Sequence, residues 1–122
     1  MTFTVLVCGG RNFDDYDLLD DTLNGVFAKT RITELLHGGA SGADTIAVDW
    51  AALADVPVRK FPAQWKTYGK RAGPIRNSLM LQEGRPDLVV AFPGGAGTRD
   101  MVAQAKRSGV AVLMVGPRGE SL

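Results

Sequence analysis

The chain has 122 residues, 45% hydrophobic and 22% charged, with 14 Lys and Arg against 13 Asp and Glu for a formal net charge of +1. These values fit one soluble globular domain rather than a disordered or membrane-spanning chain, and so small a charge argues against duplex DNA, whose binding rests on a strong positive field. A single cysteine, Cys8, and a single histidine, His37, leave no internal disulfide and no zinc-type cluster, so no metal and no cofactor is expected.

The first apolar run, "FTVLVC", lacks the basic flank and cleavage site of a secretion signal, which points to a cytoplasmic protein with no membrane partner. It reads as a strand ending in Cys8-Gly9-Gly10-Arg11. In the segment that follows, Leu19, Leu23, Val26 and Phe27 recur at helical spacing, and Asp14 or Asp15 is available as N-cap. The second run, "RITELLH", closes in His37-Gly38-Gly39-Ala40-Ser41-Gly42. After it, Ala43, Ile46, Ala47, Trp50, Ala51 and Ala54 mark a second helix, and Ser41 with Asp44 fits a capping box. A third run, "VPVRKF", precedes "PAQWKTYGKRAG", which is longer than an ordinary strand-to-helix connection and is expected to be an irregular lid or binding loop. A third helix is predicted from Pro74 to about Glu83. The fourth run, "PDLVVAF", leads through Pro93-Gly94-Gly95-Ala96-Gly97-Thr98 into a helix carrying Met101, Val102 and Ala105, and "VAVLMV" supplies a fifth strand.

Near-continuous apolar runs suit strands covered on both faces, and their alternation with helices predicts an α/β, three-layer Rossmann-like sandwich with a five-stranded parallel sheet in the order 3-2-1-4-5. One domain is expected over residues 1–116, with 117–122 as a flexible tail. In such sheets the ligand crevice lies beyond the carboxyl ends of the strands. Three Gly-Gly turns fall on that edge, where glycine admits close backbone approach and helix starts present unpaired N–H groups. The expected ligand is therefore a nucleotide or phosphorylated nucleoside. The candidate binding residues are Gly9, Gly10, Arg11, Gly38, Gly39, Ala40, Ser41, Gly42, Asp44, Trp65, Arg76, Asn77, Pro93, Gly94, Gly95, Gly97 and Thr98. Arg76 and Asn77 are placed in the first turn of a crevice-facing helix, and Trp65 offers a stacking surface for a base. His37 reads as a strand end, Trp50 as core and Cys8 as a small hydrophobe.

The motifs "CGGR", "HGGASGAD", "FPAQW", "YGKRAGPIRNSLM" and "AFPGGAGTRDM" together resemble the YspA-like, YpsA-related branch of the SLOG superfamily, over Val5 to about Val115. The resemblance implies a compact Rossmann-like domain that binds nucleotides or nucleotide-derived ligands, as a sensor. The wider superfamily includes the Lonely Guy phosphoribohydrolases, whose PGGxGTxxE motif "PGGAGTRDM" matches through Thr98. Arg76 resembles the arginine of their preceding helix. Met101 stands where that motif has glutamate, and Asp100 lies one residue early, about 100° around the helix. Two readings follow: a nucleotide-binding module, and a phosphoribohydrolase cleaving the N-glycosidic bond of a nucleoside 5′-monophosphate, with Arg76, Asp100 and Asp44 as catalytic candidates. A third, single-stranded nucleic-acid binding by the basic and aromatic loop, ranks below them. The resemblance also admits a homodimer.

Overall fold

The computed structural model describes residues 1–122. Its strands are β1 (Thr4–Cys8), β2 (Glu34–His37), β3 (Val58–Lys60), β4 (Leu88–Ala91) and β5 (Ala111–Met114), and its helices are α1 (Tyr16–Lys29), α2 (Ala43–Leu53), α3 (Trp65–Tyr68), α4 (Ala72–Gly84) and α5 (Ala96–Arg107). All strand pairs are parallel, in the order β3-β2-β1-β4-β5, as the sequence pattern predicts.

Side chains alternate across a strand, so each central strand feeds two cores. Val5 and Val7 of β1 join Leu35 and Val90 on one face, packed against Leu19 and Leu23 of α1 and Ile46, Ala47 and Trp50 of α2. Leu6, Leu36 and Val89 point the other way, onto Met80 and Leu81 of α4 and Met101 and Ala105 of α5. The order of connections forces this division: α1 and α2 cover one face while the chain builds β1 to β3, and the crossover to β4 carries α4 to the opposite face. The sheet therefore reverses its winding between β1 and β4, and a crevice opens there.

Asp15 caps α1, its Oδ1 accepting from the Leu18 N–H at 3.0 Å. Trp50 is core as expected; its ring meets Phe27 edge-on at 5.9 Å, and its indole N–H donates to Asn24 Oδ1 at 2.8 Å.

Three expectations need correction. Ser41 and Asp44 form no capping box: the N-cap of α2 is Gly42, Ser41 Oγ donates to the Arg11 carbonyl at 3.2 Å, and the Asp44 carboxylate turns away towards the preceding loop. The runs are not all buried strands either, since β3 is an exposed edge whose Arg59 pairs with Glu34 at 3.4 Å. An edge strand has a neighbour on one side only, and its charged side chains are free to reach solvent. Finally, the stretch expected to be an irregular loop is largely helical, with α3 running into a 3-10 turn at Gly69–Arg71 and then directly into α4, which starts two residues before Pro74.

Residues 117–122 turn back on β5, where Gly116 N–H donates to Glu120 O at 2.7 Å and Leu122 N–H to Met114 O at 2.9 Å. No helix is long and apolar enough to cross a membrane.

Two glycine replacements separate backbone constraint from helix propensity. Gly42 has φ +77°, and a Cβ there would collide with the carbonyl oxygens of Gly10 and Arg11, whereas Gly25 in α1 has open space around it. Gly42→Ala is expected to lower unfolding free energy by about 2 kcal/mol or more, and Gly25→Ala to raise it by about 0.5–1 kcal/mol. Chemical denaturation of the two variants checks both signs.

Candidate functional site

The crevice begins with a backbone lock between turns. Gly10 N–H donates to the Pro93 carbonyl at 2.9 Å, and Ala43 N–H at the start of α2 donates to the Gly10 carbonyl at 3.2 Å. Gly94 lies so close to Gly10 N and Thr98 Oγ1 that no side chain would fit, and Gly9 sits against the Cβ of Ala43. Gly9, Gly42 and Gly94 thus serve close packing of the turns, and Pro93 supplies a carbonyl.

Beyond that lock lies a cavity of about 520 Å³ with an apolar floor of Leu6, Val7, Met80 and Met101. Of the residues picked from the sequence, Gly9, Gly10, Arg11, Gly38, Ala40, Asp44, Trp65, Arg76, Asn77, Gly95, Gly97, Thr98 and Asp100 line it. Gly39 and Ser41 border an adjoining hollow instead, Pro93 and Gly94 face the far side of α5, and Gly42 is packed beneath the first turn. Lys70 and Pro74 also line the main cavity but were not among the candidates. Lys70 was visible in the sequence only as one of several loop cations; the 3-10 turn selects it.

At one wall stands the start of α5. Gly95 caps it without a side-chain bond, so the N–H groups of Ala96, Gly97 and Thr98 have no partner within the protein, and they mark the positive end of the helix dipole. Opposite, Arg76 donates through Nη1 to the Gly38 carbonyl at 2.9 Å and through Nε to Asn77 Oδ1 at 3.0 Å. Gly38 is needed for this contact, because a Cβ there would meet the guanidinium.

The carboxylates are held by the protein's own donors. Asp44, 6% exposed, accepts at Oδ2 from the Gly38 and Ala40 N–H groups at 3.0 and 3.1 Å. Burial raises its pKa, against the opposing pull of those two hydrogen bonds and of Arg76. Asp100 Oδ2 accepts from Asn77 Nδ2 at 3.0 Å and Gln104 Nε2 at 2.8 Å. Asn77, 4% exposed, also donates to the Gly97 carbonyl at 3.2 Å, and so ties α4 to the first turn of α5. Met101, at the position of the Lonely Guy glutamate, is buried in the core between sheet and α5. The Cys8 thiol is pushed up to about 12, chiefly by burial and then by Asp44, which leaves it protonated and poorly nucleophilic. At the mouth, the Arg11 guanidinium lies 5.7 Å from the centre of the Trp65 ring, which is 48% exposed.

A family model described as "YspA, cpYpsA-related SLOG family" matches residues 3–68. Gene 61 protein of Mycobacterium phage D29 is 34% identical, over 93% of this chain and 97% of its own length. Among solved structures, DNA processing protein A of Streptococcus pneumoniae superposes with a TM-score of 0.75 at 15% identity, covering 93% of this chain and 50% of its own. The chain thus spans half the length of that protein. The molybdenum cofactor binding protein of Rippkaea orientalis gives 0.68 at 20% identity, covering 95% of this chain and 77% of its own. At these identities the two structures show a shared fold.

His37 provides a titration marker for the loop that carries Gly38. Its Nδ1 accepts from the Gly39 N–H at 3.0 Å, which puts the ring proton on Nε2, and burial, then Lys60, lower its pKa from 6.5. The folded state holds His37 neutral where the unfolded chain begins to protonate. Its contribution to stability is thus present above pH 6.5 and is lost as pH falls through the lowered folded value. The imidazole is the only one in the chain, so a proton NMR titration should give a single midpoint below 6.5. A midpoint at or above that value contradicts the buried, accepting ring.

Proposed function

Because the chain belongs to the YspA, cpYpsA-related SLOG family, we propose that it binds a nucleotide or nucleotide derivative in the cavity between β1, α4 and α5, and that binding is its function. The observation that carries this reading is the pairing, across one cavity, of the unsatisfied N–H groups at the start of α5 with the cations Arg11, Lys70 and Arg76. Both features favour an anion, and the two carboxylates that line the same space are already engaged by internal donors. A phosphate at the α5 N-terminus would leave the rest of the cavity to the sugar and base, and the exposed face of Trp65 to stack on the base. A cavity of about 520 Å³ is in the range used for small ligands.

Phosphoribohydrolysis is the second reading, and Asp100 is the observation in its favour. It lines the cavity, and its Oδ1 makes no hydrogen bond in the protein. Held there, a carboxylate would stabilise positive charge developing at the ribose or orient water. Binding alone is preferred because the glutamate position holds buried Met101. Single-stranded nucleic acid ranks third, since a net charge of +1 supplies little of the field such partners need.

Two measurements separate these readings. In a thermal-shift screen of nucleoside monophosphates, diphosphates and cyclic nucleotides, a true ligand at a hundred times its dissociation constant should add about 2.7 kcal/mol of apparent stability. Lys70→Ala should weaken that ligand by roughly three- to ten-fold, the worth of one partly exposed charge-assisted contact, without lowering unliganded stability. The absence of any shift across the panel would sink the proposal. Chromatography of the same mixtures should show no released base; if base appears and Asp100→Asn abolishes its release while retaining binding, hydrolysis takes first place.

A further inference from the structure

The cavity does not end at the Arg11 and Trp65 contact. A second lobe of about 350 Å³ adjoins it, between the turn after β2 and residues 60–63, and Arg11, Trp65 and Arg76 line both lobes. Their chemistry differs. The first lobe has an apolar floor and two carboxylates; the second is lined by Arg11, Lys60 and Arg76, with Ser41 at its side and no carboxylate. None of these three cations makes a salt bridge, for the one in the molecule joins Arg59 to Glu34, and the Asp44 charge in the first lobe acts on Arg76 alone among them.

Their arrangement is built into the backbone. Gly39 has φ +76°, and the space a Cβ would fill is taken by the Lys60 stem, with Cε closest and Cδ at 3.3 Å. The lysine stem thereby lies across the turn, and the residue lines the lobe. Arg76 spends Nε and Nη1 on Asn77, Gly38 and Phe61, while Nη2 makes no hydrogen bond in the protein. Ser41 Oγ donates to the Arg11 carbonyl and anchors that residue's backbone. Three like charges gathered where only Asp44, outside the lobe, offsets one of them repel one another, and a multiply charged anion among them would reverse the sign of that interaction.

We propose that this second lobe is a phosphoryl subsite, and that the ligand carries two phosphate groups: one at the α5 N-terminus, the other among Arg11, Lys60 and Arg76. This rests on the nucleotide reading of the first lobe and narrows it to a nucleotide with a second phosphate, attached either to the first or to the sugar. Arg76, common to both lobes, lies between the two groups, with the N–H groups of Nη2 free to donate to them.

The test is calorimetric titration of wild type and Lys60→Met, which keeps an apolar stem over Gly39 and removes the charge. The probes are a nucleoside 5′-monophosphate, the matching 5′-diphosphate and 3′,5′-bisphosphate, and inorganic pyrophosphate. In wild type, at least one doubly phosphorylated nucleotide should bind ten-fold or more tightly than the monophosphate, and in Lys60→Met that ratio should fall to about one. Equal affinities for all nucleotides in wild type would overturn the second subsite and leave the nucleotide reading intact. Should no nucleotide bind, pyrophosphate decides: retention by wild type and loss in Lys60→Met would keep the subsite and discard the nucleotide, whereas no pyrophosphate binding would end both.

Discussion

Everything at the carboxyl edge of the sheet depends on one close contact, the docking of the turn after β1 between the turns after β2 and β4. The Gly10 amide reaches the Pro93 carbonyl, and the Gly10 carbonyl receives the first amide of α2. These two hydrogen bonds connect the carboxyl-end turns of three strands, and they form only because Gly9, Gly42 and Gly94 present no side chain where the backbones meet. The glycine-rich turns therefore have two distinct jobs. Some join loops into a shared rim, where their backbone groups bond to one another; the start of α5, beside that rim, keeps its amides free.

Charge is handled by the same division. The whole chain is close to neutral, and the crevice gathers the cations Arg11, Lys70 and Arg76 beside two carboxylates that accept hydrogen bonds from the protein's own donors. Asp44 accepts two backbone amides and thereby shapes the turn that carries Gly38 and Ala40, while Asp100 is gripped by Asn77 and Gln104. Asn77 connects these parts: one buried amide side chain accepts from Arg76, donates to Asp100 and donates to the Gly97 carbonyl, so α4 and α5 are held in the mutual position that defines the cavity wall. A buried polar network of this kind favours one arrangement because each alternative would strand a donor or acceptor.

Much of the architecture was legible because it follows from period and spacing. Apolar runs separated by helix-length segments required parallel crossovers, and the alternation of Val5, Leu6 and Val7 required two cores. Ser41 with Asp44 misled for a physical reason. The spacing of a capping box is local, but the Asp44 carboxylate found better donors in the folded turn preceding its helix, and the Ser41 hydroxyl found a carbonyl from another strand end. The segment after β3 looked irregular because Pro62, Gly69 and Gly73 interrupt it and no apolar period runs through it; docking of α3 and the 3-10 turn against the start of α4 supplies order that propensity alone does not.

The sequence by itself determined the fold class, the strand order and the carboxyl edge of the sheet as the place where the Gly-Gly turns meet, because hydrophobic period and glycine position are properties of short segments. Only the tertiary structure decided which glycines are packing devices and which border open space, that Met101 is core, and that Lys60, Arg11 and Arg76 share one lobe that no carboxylate lines. Those outcomes depend on contacts between residues far apart in the chain, such as Arg76 with Gly38 and Asn77 with Asp100, whose distances no local pattern encodes.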